Sequence, residues 1–251
     1  MTIRPTPLAD VALATALLTR LPVPVPAEHA STRGAAAAWA YPLAGLPVAL
    51  AAGGLALGLM ALGLPPAFAA GMALAVQVVL TGAMHEDGLA DSADGLWGGW
   101  TRERRLEIMK DSRIGSYGVL ALVLAIGLRW SLLAALGPLL LAPLLGAALL
   151  SRAAMTGVMA ALPNARTDGL SRSIGRPGAG AAVLAMALAL GLSLALLGPQ
   201  ALLLAALAGL ASLACAALAR AKLGGQTGDI LGATQQVAEI VTLATAAALL
   251  A

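Results

Sequence analysis

The chain has 251 residues, of which 60% are apolar and only 11% are charged, and its mean hydropathy is +0.90. Soluble globular domains carry about 25% charged residues, so this composition excludes a water-soluble fold and indicates hydrocarbon as the main solvent. Only helices and closed barrels span a bilayer. Because Ala and Leu dominate and alternating apolar–polar strands are absent, the sequence predicts an all-α polytopic membrane bundle.

Charge and cysteine content exclude further classes of protein. The formal net charge is +3, but four Trp, two Tyr and one Phe leave no basic–aromatic pattern typical of nucleic-acid binding. The single cysteine, Cys215, lies in an apolar run and argues against both a disulfide framework and a cysteine-based metal site. The N-terminus lacks the basic start, short apolar core and cleavage site of a signal peptide, so we expect none.

The first 34 residues combine apolar and polar segments. Pro7–Leu18 predicts an amphipathic helix that lies at the membrane interface, with Asp10 and Arg20 facing water. Residues 21–26, LPVPVP, cannot be helical, because each proline removes a backbone donor and restricts the residue before it. A polar connector follows, in which we expect His29 to be solvated.

Seven apolar runs follow, each close to the ~20 residues that a membrane-spanning helix needs. We predict spans at Ala35–Leu62, Pro66–Met84, Gly115–Leu136, Leu139–Ala161, Gly180–Leu197, Ala201–Ala221 and Asp229–Ala251. The whole chain is then a single integral-membrane unit.

Charge placement predicts the topology of these spans. Charges concentrate at the N-terminus and in residues 85–113, 152–176 and 220–229, whereas the intervening connectors carry none. With seven spans these four groups lie on one side of the membrane, and an excess of Arg and Lys in connectors marks the cytoplasm. We therefore expect a cytoplasmic N-terminus and a periplasmic C-terminus.

Two charges, Arg129 and Glu239, lie within predicted spans and outside the four charged groups; charged side chains in a membrane are costly and usually face a bundle interior or a polar cavity. Arg129 stands beside Trp130, and we expect it to extend to the outer interface. Glu239 follows Gln235 and Gln236 by about one helical turn. This spacing predicts a polar stripe that continues from the cytoplasm into the bundle.

The charged segment 85–117, HEDGLADSADGLWGGWTRERRLEIMKDSRIGSY, carries the strongest functional signal. Asp87, Asp91 and Asp94 are spaced so that on a helix they fall within roughly 60° of one another. Carboxylates on one narrow face repel each other, and a cation relieves the repulsion. Hard oxygen ligands suit Mg²⁺, so we predict a metal site, with Glu86, at least about 80° away, as a weaker ligand. The alternative is a solvated acidic helix end.

The second half of this segment is basic. Residues 102–110 predict a surface helix whose Arg102 and Arg105 form an anion-binding wall, or else a solvated interfacial helix. The wall continues to the catalytic candidates Lys110 and Arg113. Asp111 is a candidate second-metal ligand or general base, and His85 is a candidate ligand, base or interfacial polar residue.

Two further cytoplasmic loops add donors for phosphate. Residues 163–178, PNARTDGLSRSIGRPG, carry Arg166 and Arg172 as substrate-binding candidates. Residues 222–232, KLGGQTGDILG, are glycine-rich and can cradle phosphate through backbone N–H groups, although the GKS or GKT ending of a Walker loop is missing. The substrate-binding candidates associated with this second loop are Gly225, Thr227, Asp229 and, beyond it, Glu239.

Several motifs of the chain, taken together, resemble those of a known family. The central motif HEDGLADSADGLWGG followed by RRLEIMKDSRIGSYG resembles the signature of the adenosylcobinamide-GDP ribazoletransferase family, the cobalamin (5'-phosphate) synthases. Further matches are LLTRLPVP at 17–24, YPLAGL at 41–46, LPNARTDGL at 162–170 and GGQTGDILGA at 224–233. The resemblance covers essentially the whole chain in order.

This resemblance implies a Mg²⁺-dependent, multi-pass enzyme of the bacterial inner membrane with a cytoplasmic active site. It would join adenosylcobinamide-GDP to α-ribazole, or to its 5'-phosphate, and release GMP. Its partners would be the corrinoid nucleotide, the ribazole and membrane lipid, while a homo-oligomer or docking of pathway enzymes is left open. No nucleic acid is expected.

Two alternatives come from other classes. Residues 91–95, DSADG, also match the Asp-x-x-Asp-Gly start of CDP-alcohol phosphotransferases, but the Ala-Arg pair and the later Gly-x3-Asp-x3-Asp unit of that family are missing. A transporter is the other alternative, since Arg129 and Glu239 could form a relay. Transporters commonly show internal repeats and broken helices, and the sequence gives no sign of either.

Overall fold

The computed structural model describes residues 6–250, and the regular elements in this range are helices. Two short 3-10 helices, Gly34–Ala40 and Gly137–Leu139, lie just before α3 and α8. The α-helices of the described range are α1 Pro7–Leu18, α2 Ala27–Arg33, α3 Tyr41–Ala61, α4 Pro66–Thr81, α5 Met84–Gly98, α6 Arg102–Ile108, α7 Ser116–Leu136, α8 Leu141–Ala161, α9 Leu170–Ile174, α10 Ala179–Leu197, α11 Gln200–Leu223 and α12 Gly228–Leu250.

The lengths and apolar character of these helices confirm the predicted all-α polytopic bundle. Six segments of the described range are long and apolar enough to cross a membrane: Ala27–Ala61, Ser116–Leu139, Leu141–Ala161, Ala179–Leu197, Gln200–Leu223 and Gly228–Leu250. The remaining predicted span, Pro66–Met84, corresponds to α4, which has only 16 residues. A seventh crossing requires α4 and α5 together, and these two helices meet at a bend of 88°.

The bend between α4 and α5 has a local cause. Gly82 and Ala83 both adopt left-handed backbone conformations, with φ of 64° and 57°. Two successive residues in this region end the hydrogen-bond ladder of α4 and let the chain restart in a new direction. The segment that carries the acidic motif is therefore a separate helix, α5, rather than the continuation of a span.

Helices α8 and α12 form the centre of the bundle. Helix α12 packs against α5, α7, α8 and α11, and α8 also packs against α3 and α10. Lipid supplies no hydrophobic force that brings helices together, so the helices associate through close van der Waals packing. Small side chains permit this close approach. At Gly45 of α3, for example, a Cβ atom would lie 2.8 Å from the Arg152 guanidinium of α8.

The N-terminal helix corrects two expectations. Pro7–Leu18 is helical and Arg20 is exposed, but Asp10 is buried. Its carboxylate accepts hydrogen bonds from Arg33 (2.6 and 2.9 Å) and Trp39 (2.8 Å), and it lies 3.1 Å from the buried His29. The Arg33 guanidinium holds the pKa of Asp10 below its ordinary value. The expectation that Asp10 and His29 are solvated is wrong, because together they fasten α1 to α2.

Arg129 is also placed differently from the prediction. Its side chain does not extend to the interface but is 1% exposed inside the bundle. One terminal nitrogen donates to Glu86 (2.8 Å) and Gln236 (3.0 Å). The other donates to Gln77 (3.1 Å) and pairs with Glu239 at 2.9 Å. A guanidinium has no acidic partner at the predicted outer position, whereas here two carboxylates compensate its burial.

The polar stripe predicted on α12 is confirmed. The Gln235 amide donates to Ser151 at 3.1 Å and to Glu239 at 2.5 Å, and the Gln236 amide donates to Glu86 at 3.2 Å. Arg152 of α8 is buried close by and donates to a backbone carbonyl at 3.2 Å. We call Gln77, Glu86, Arg129, Arg152, Gln235, Gln236 and Glu239 the buried polar cluster; its two carboxylates and two guanidinium groups cancel in charge.

Glycine permits the contact between α5 and α12. A Cβ atom at Gly88 would lie 2.9 Å from the Asp229 carbonyl oxygen, 3.1 Å from its Cα atom and 3.2 Å from the Cα atom of Gly232. These are backbone atoms, which cannot move without displacing α12 as a whole. The repeated Asp-Gly unit of the acidic motif therefore has a packing explanation at Gly88.

Replacing Arg129 by Met should destabilise the protein strongly. Removal of one partner leaves Glu86 and Glu239 buried with their charge compensation reduced, which typically costs about 3–5 kcal/mol. Thermal unfolding in detergent, followed by circular dichroism, should show a marked fall in midpoint. The exposed Arg104→Met is the matched control and should unfold like the wild type. Adding Glu86→Gln and Glu239→Gln to Arg129→Met should recover part of the loss; an unchanged midpoint in Arg129→Met would contradict the role of the ion pairs.

Gly88→Ala and Gly54→Ala should have opposite consequences. The first forces the α5 and α12 backbones apart, at a cost of about 1–3 kcal/mol typical of overpacking. The second adds a methyl group at a helical position with no atom within 4 Å, where alanine is the better helix former. Thermal midpoints should fall for Gly88→Ala and not for Gly54→Ala. Equal midpoints for the two variants would show that the contact at Gly88 is not tight.

Candidate active site

A polar pocket of about 170 Å³ lies where the start of α5, the 162–172 loop and the start of α12 meet. We call it the polar pocket. Three segments that are remote in sequence thus contribute to one cavity. Its polar lining consists of Asp87, Asn164, Arg166, Asp168, Ser171, Arg172, Gln226, Thr227 and Asp229.

Acidic side chains from two helices meet at this pocket. Asp87 is exposed and lines the pocket, whereas Asp91, one turn further along α5, is half-buried and lies beside the lining rather than in it. The carboxylate of Asp91 lies within the electrostatic range of Asp87, Asp94 and the Asp229 side chain of α12. The close contact at Gly88 is what brings Asp229 alongside the acids of α5.

Asp229 is held by two neighbours. Arg166 from the 162–172 loop forms an ion pair with it at 3.0 Å, and the Thr227 hydroxyl lies 3.2 Å from the same carboxylate oxygen. Thr227 also accepts a hydrogen bond from the Ile230 backbone at 3.2 Å, which caps the N-terminus of α12. The positive end of the α12 dipole therefore faces the pocket, where it favours anions.

The structure separates Asp94 from the other two acids of its motif. Its two carboxylate oxygens accept hydrogen bonds from the backbone of Gly115 (2.7 Å) and Gly118 (2.9 Å). These N–H groups belong to the first turn of α7, so Asp94 caps that helix from outside. Both oxygens are occupied, which makes Asp94 a weaker metal ligand than its spacing suggests.

Glu86 and His85 also face away from the polar pocket. Glu86 is 6% exposed and belongs to the buried polar cluster, where Arg129 and Gln236 donate to it. His85 is 2% exposed and lines a separate, apolar pocket. Glu239 lies deeper in α12 and pairs with Arg129 rather than facing substrate. None of the three residues lines the polar pocket.

Backbone pairing joins the two substrate loops. The Ala165 N–H donates to the Gln226 carbonyl and the Gln226 N–H to the Pro163 carbonyl, each at 2.8 Å. The side chains of Gln226 and Asn164 bond at 2.6 Å. Gly225 is required here, because a Cβ atom would lie 2.2 Å from the Pro163 carbonyl oxygen. Gly225 therefore acts by allowing the loops to meet.

The basic helix α6 fastens these loops from outside. Arg102 donates to the carbonyls of Leu223 (2.8 Å) and Ala165 (2.6 Å), and Arg105 donates to the Lys222 carbonyl at 3.2 Å. Neither arginine lines the polar pocket. Arg166 and Arg172 do, and they are the guanidinium groups available to a bound phosphate there.

The exposed catalytic candidates Lys110, Asp111 and Arg113 form ion pairs at the surface. Lys110 donates to Asp168 at 2.6 Å. Asp111 accepts two hydrogen bonds from the Arg113 side chain, at 2.8 and 3.1 Å, and these lower the pKa of Asp111 to about 2. A carboxylate that remains ionised down to such acidity is a weak proton acceptor. The geometry thus offers little support for Asp111 as a base.

Several uncharged residues of the site were not predicted from the sequence. Asn164 and Gln226 hold the loops, and the Ser171 hydroxyl donates to Gln226 at 2.8 Å. Their only signal was their position inside the motifs LPNARTDGL and GGQTGDILGA. Arg152 was grouped with the charged residues 152–176, although it falls within the predicted span Leu139–Ala161, and the structure buries it inside the bundle.

The pocket offers ligands of the kind that Mg²⁺ prefers. Among residues 6–250, no three His, Cys, Asp or Glu side chains are grouped so as to hold a metal ion unaided. Mg²⁺ usually takes one or two carboxylates and completes its shell with water and substrate phosphate. Asp87, Asp91 and Asp229 suit this demand, since they place hard oxygen atoms beside arginines that can receive the phosphate.

Comparison with known proteins gives a consistent family. A family model described as cobalamin-5-phosphate synthase matches residues 10–247. The chain is 50% identical over 245 residues to the adenosylcobinamide-GDP ribazoletransferase of Bradyrhizobium diazoefficiens, covering 96% of this chain and 94% of the relative. Relatives of the same name from Azorhizobium caulinodans and Rhizobium meliloti are 46% and 45% identical, over 94% and 93% of this chain and 94% of each relative.

No solved structure matches the chain. The family match includes every segment of the polar pocket, and the resemblance found in the sequence motifs is confirmed. The chain therefore belongs to the cobalamin-5-phosphate synthase family.

Proposed function

We propose that this protein is an adenosylcobinamide-GDP ribazoletransferase, which joins adenosylcobinamide-GDP to α-ribazole, or to its 5'-phosphate, in the assembly of the cobalamin nucleotide loop. The observation that carries this proposal is the polar pocket, in which carboxylates of α5 and α12 face two arginines. Relatives of this name cover almost the whole chain, including all three segments of the pocket.

The reaction is a phosphoryl transfer. The ribazole 3'-hydroxyl oxygen forms a bond to the phosphorus next to the corrinoid aminopropanol. The bond from that phosphorus to the bridging oxygen breaks, and GMP departs with that oxygen and its electron pair. Catalysis of this kind rests on positioning and on stabilisation of charge at the phosphoryl oxygens.

The residues of the pocket divide this work. Arg166 and Arg172, with the N-terminus of α12, bind the diphosphate oxygens. Asp229 is engaged by Arg166, which leaves Asp87, an exposed carboxylate that lines the pocket, as the acceptor for the proton of the attacking hydroxyl. Mg²⁺ would be held by Asp91 and Asp229 and would neutralise the charge that develops on the phosphates.

The proposed location is the bacterial inner membrane, with the polar pocket on the cytoplasmic face. Arg102, Arg105, Arg166 and Arg172 all lie in or beside the loops at this end of the bundle, and such an excess of basic residues marks the cytoplasmic side. Exposed apolar side chains on α7 and α10 support contact with lipid. A homo-oligomer and docking of pathway enzymes stay as predictions.

The activity is tested by incubating the purified protein in nanodiscs with Mg²⁺, adenosylcobinamide-GDP and α-ribazole, and measuring GMP. Parallel reactions with a CDP-alcohol and a lipid acceptor test the alternative phosphotransferase. Release of GMP only when both corrinoid and ribazole are present is the expected result. Product with the CDP-alcohol instead would assign the protein to the other chemistry.

Asp91→Asn should abolish GMP release while the protein still inserts and folds. The substitution removes a negative charge but keeps the shape of the side chain. Removing one group that stabilises charge in a transition state typically lowers kcat by about 10²-fold or more. Glu103→Gln, which neutralises an exposed carboxylate at the same end of the bundle, is the control and should retain full activity. Near-normal turnover by Asp91→Asn in Mg²⁺ would rule out its proposed role.

A further inference from the structure

A second pocket adjoins the polar pocket and differs from it in chemistry. It lies between α1, α3, α5, α8, α9 and α12, and it shares Met84, Leu170, Ser171 and Gly228 with the polar pocket. We call it the apolar pocket. Its walls consist mainly of Leu17, Met155, Met159, Leu170, Ile174 and Leu231.

Two residues that line the apolar pocket, Tyr41 and His85, each carry a buried polar atom with no partner within the described chain. The Tyr41 hydroxyl belongs to a residue that is 3% exposed, and the Nε2 atom of His85 to one that is 2% exposed; neither has a hydrogen bond. An unsatisfied buried polar group costs about 1–3 kcal/mol, so two around one cavity indicate a ligand that satisfies at least one of them. The third polar group, the Ser171 hydroxyl, already donates to Gln226.

We infer that the apolar pocket binds the dimethylbenzimidazole base of ribazole, an assignment that rests on the proposed function. This base is a flat bicyclic ring with two methyl groups and one free ring nitrogen. The methyl groups and ring faces suit the Leu and Met walls, whose flexible thioethers adapt well to aromatic rings. The free nitrogen accepts one hydrogen bond, from the Tyr41 hydroxyl or from a protonated Nε2 of His85.

The guanine base of the other substrate fits this pocket poorly. Guanine carries several donors and acceptors on its edges, and most of them would be buried here without a partner, each at a cost. The polar pocket, with Asn164, Arg166 and Arg172, offers the groups that a nucleotide diphosphate requires. The two adjoining pockets therefore sort the two substrates by polarity.

The shared wall links the two pockets in a way that suits the reaction. Ser171 and Gly228 line both cavities, so a ribose attached to a base in the apolar pocket emerges beside the start of α12. Asp229 and Asp87 line the polar pocket at that point. Binding the base would thus deliver the ribose hydroxyl toward the acids and the phosphates.

Tyr41→Phe tests the hydrogen bond while preserving the shape of the pocket. The KM for α-ribazole should rise about 5–10-fold, the size of one neutral hydrogen bond. The kcat and the KM for adenosylcobinamide-GDP should be unchanged, which a general loss of structure could not produce. The matched control is Tyr117→Phe, which removes a hydroxyl from a half-exposed residue on α7 and should leave all three constants unchanged.

Leu17→Trp tests whether the base of α-ribazole occupies the space inside the apolar pocket. The larger side chain narrows the apolar pocket, so the KM for α-ribazole should rise, and the variant should prefer the riboside of unmethylated benzimidazole over α-ribazole. Leu8→Trp, at an 82% exposed position of the same helix, is its control. Equilibrium dialysis of α-ribazole alone against the protein in nanodiscs repeats both comparisons without turnover.

The outcomes separate this assignment from the proposed function. Unchanged ribazole affinity in both pocket variants, or a change confined to adenosylcobinamide-GDP, would overturn the assignment while GMP release by the wild type leaves the activity standing. Absence of GMP release by the wild type would remove the activity itself. Weaker α-ribazole binding by both Tyr41→Phe and Leu17→Trp, with both controls unaffected, is the result expected.

Discussion

The ion pairs of Arg129 with Glu86 and Glu239 are the interaction on which the rest of this structure depends. Helix α5 carries acidic residues and glycines and offers little apolar surface with which to hold its place in a bundle of Ala and Leu. A shift of register would separate the buried guanidinium from its two carboxylates and leave buried charges uncompensated, which is costly. Since Glu86 immediately precedes Asp87, fixing Glu86 against α7 and α12 also fixes the acids that face the pocket.

Charged residues are found in two distinct places, the buried polar cluster and the polar pocket. The buried polar cluster is neutral overall and its members face one another, so it holds helices together and meets no substrate. At the polar pocket, Asp87 has no such partner among residues 6–250, and α6 and the paired loops position Arg166 against Asp229. Intramembrane charges usually indicate a transport route. Here the partners of Arg129 account for its burial and support an enzyme whose polar interior is structural.

Features that depend on composition and periodicity could be predicted from the sequence. The positions of side chains that are held by residues distant in the sequence could not. Spans, the helical polar stripe ending at Glu239 and the convergence of three charged loops follow from hydropathy, spacing and topology. The placement of Arg129 does not, because Trp130 next to it suggests an interface while Glu86, 43 residues away, holds it inside. Asp94 shares the spacing of Asp87 and Asp91, yet its oxygens meet the N-terminus of α7, which no local pattern reveals. Asn164 and Gln226 are uncharged, and only their pairing across the loops shows what they do.

We expect carboxylates from α5 and α12 together to bind the metal that accompanies the diphosphate. Electron paramagnetic resonance of Mn²⁺ tests it most directly, because the signal of the free ion falls when Mn²⁺ leaves bulk water for the protein. In nanodiscs with GDP present, the wild type and Glu103→Gln should bind Mn²⁺ alike. Asp91→Asn and Asp229→Asn should each bind at least about tenfold more weakly, the order of effect expected when a ligand to the ion is lost. Equal Mn²⁺ binding by Asp91→Asn, Asp229→Asn and the wild type would contradict the account.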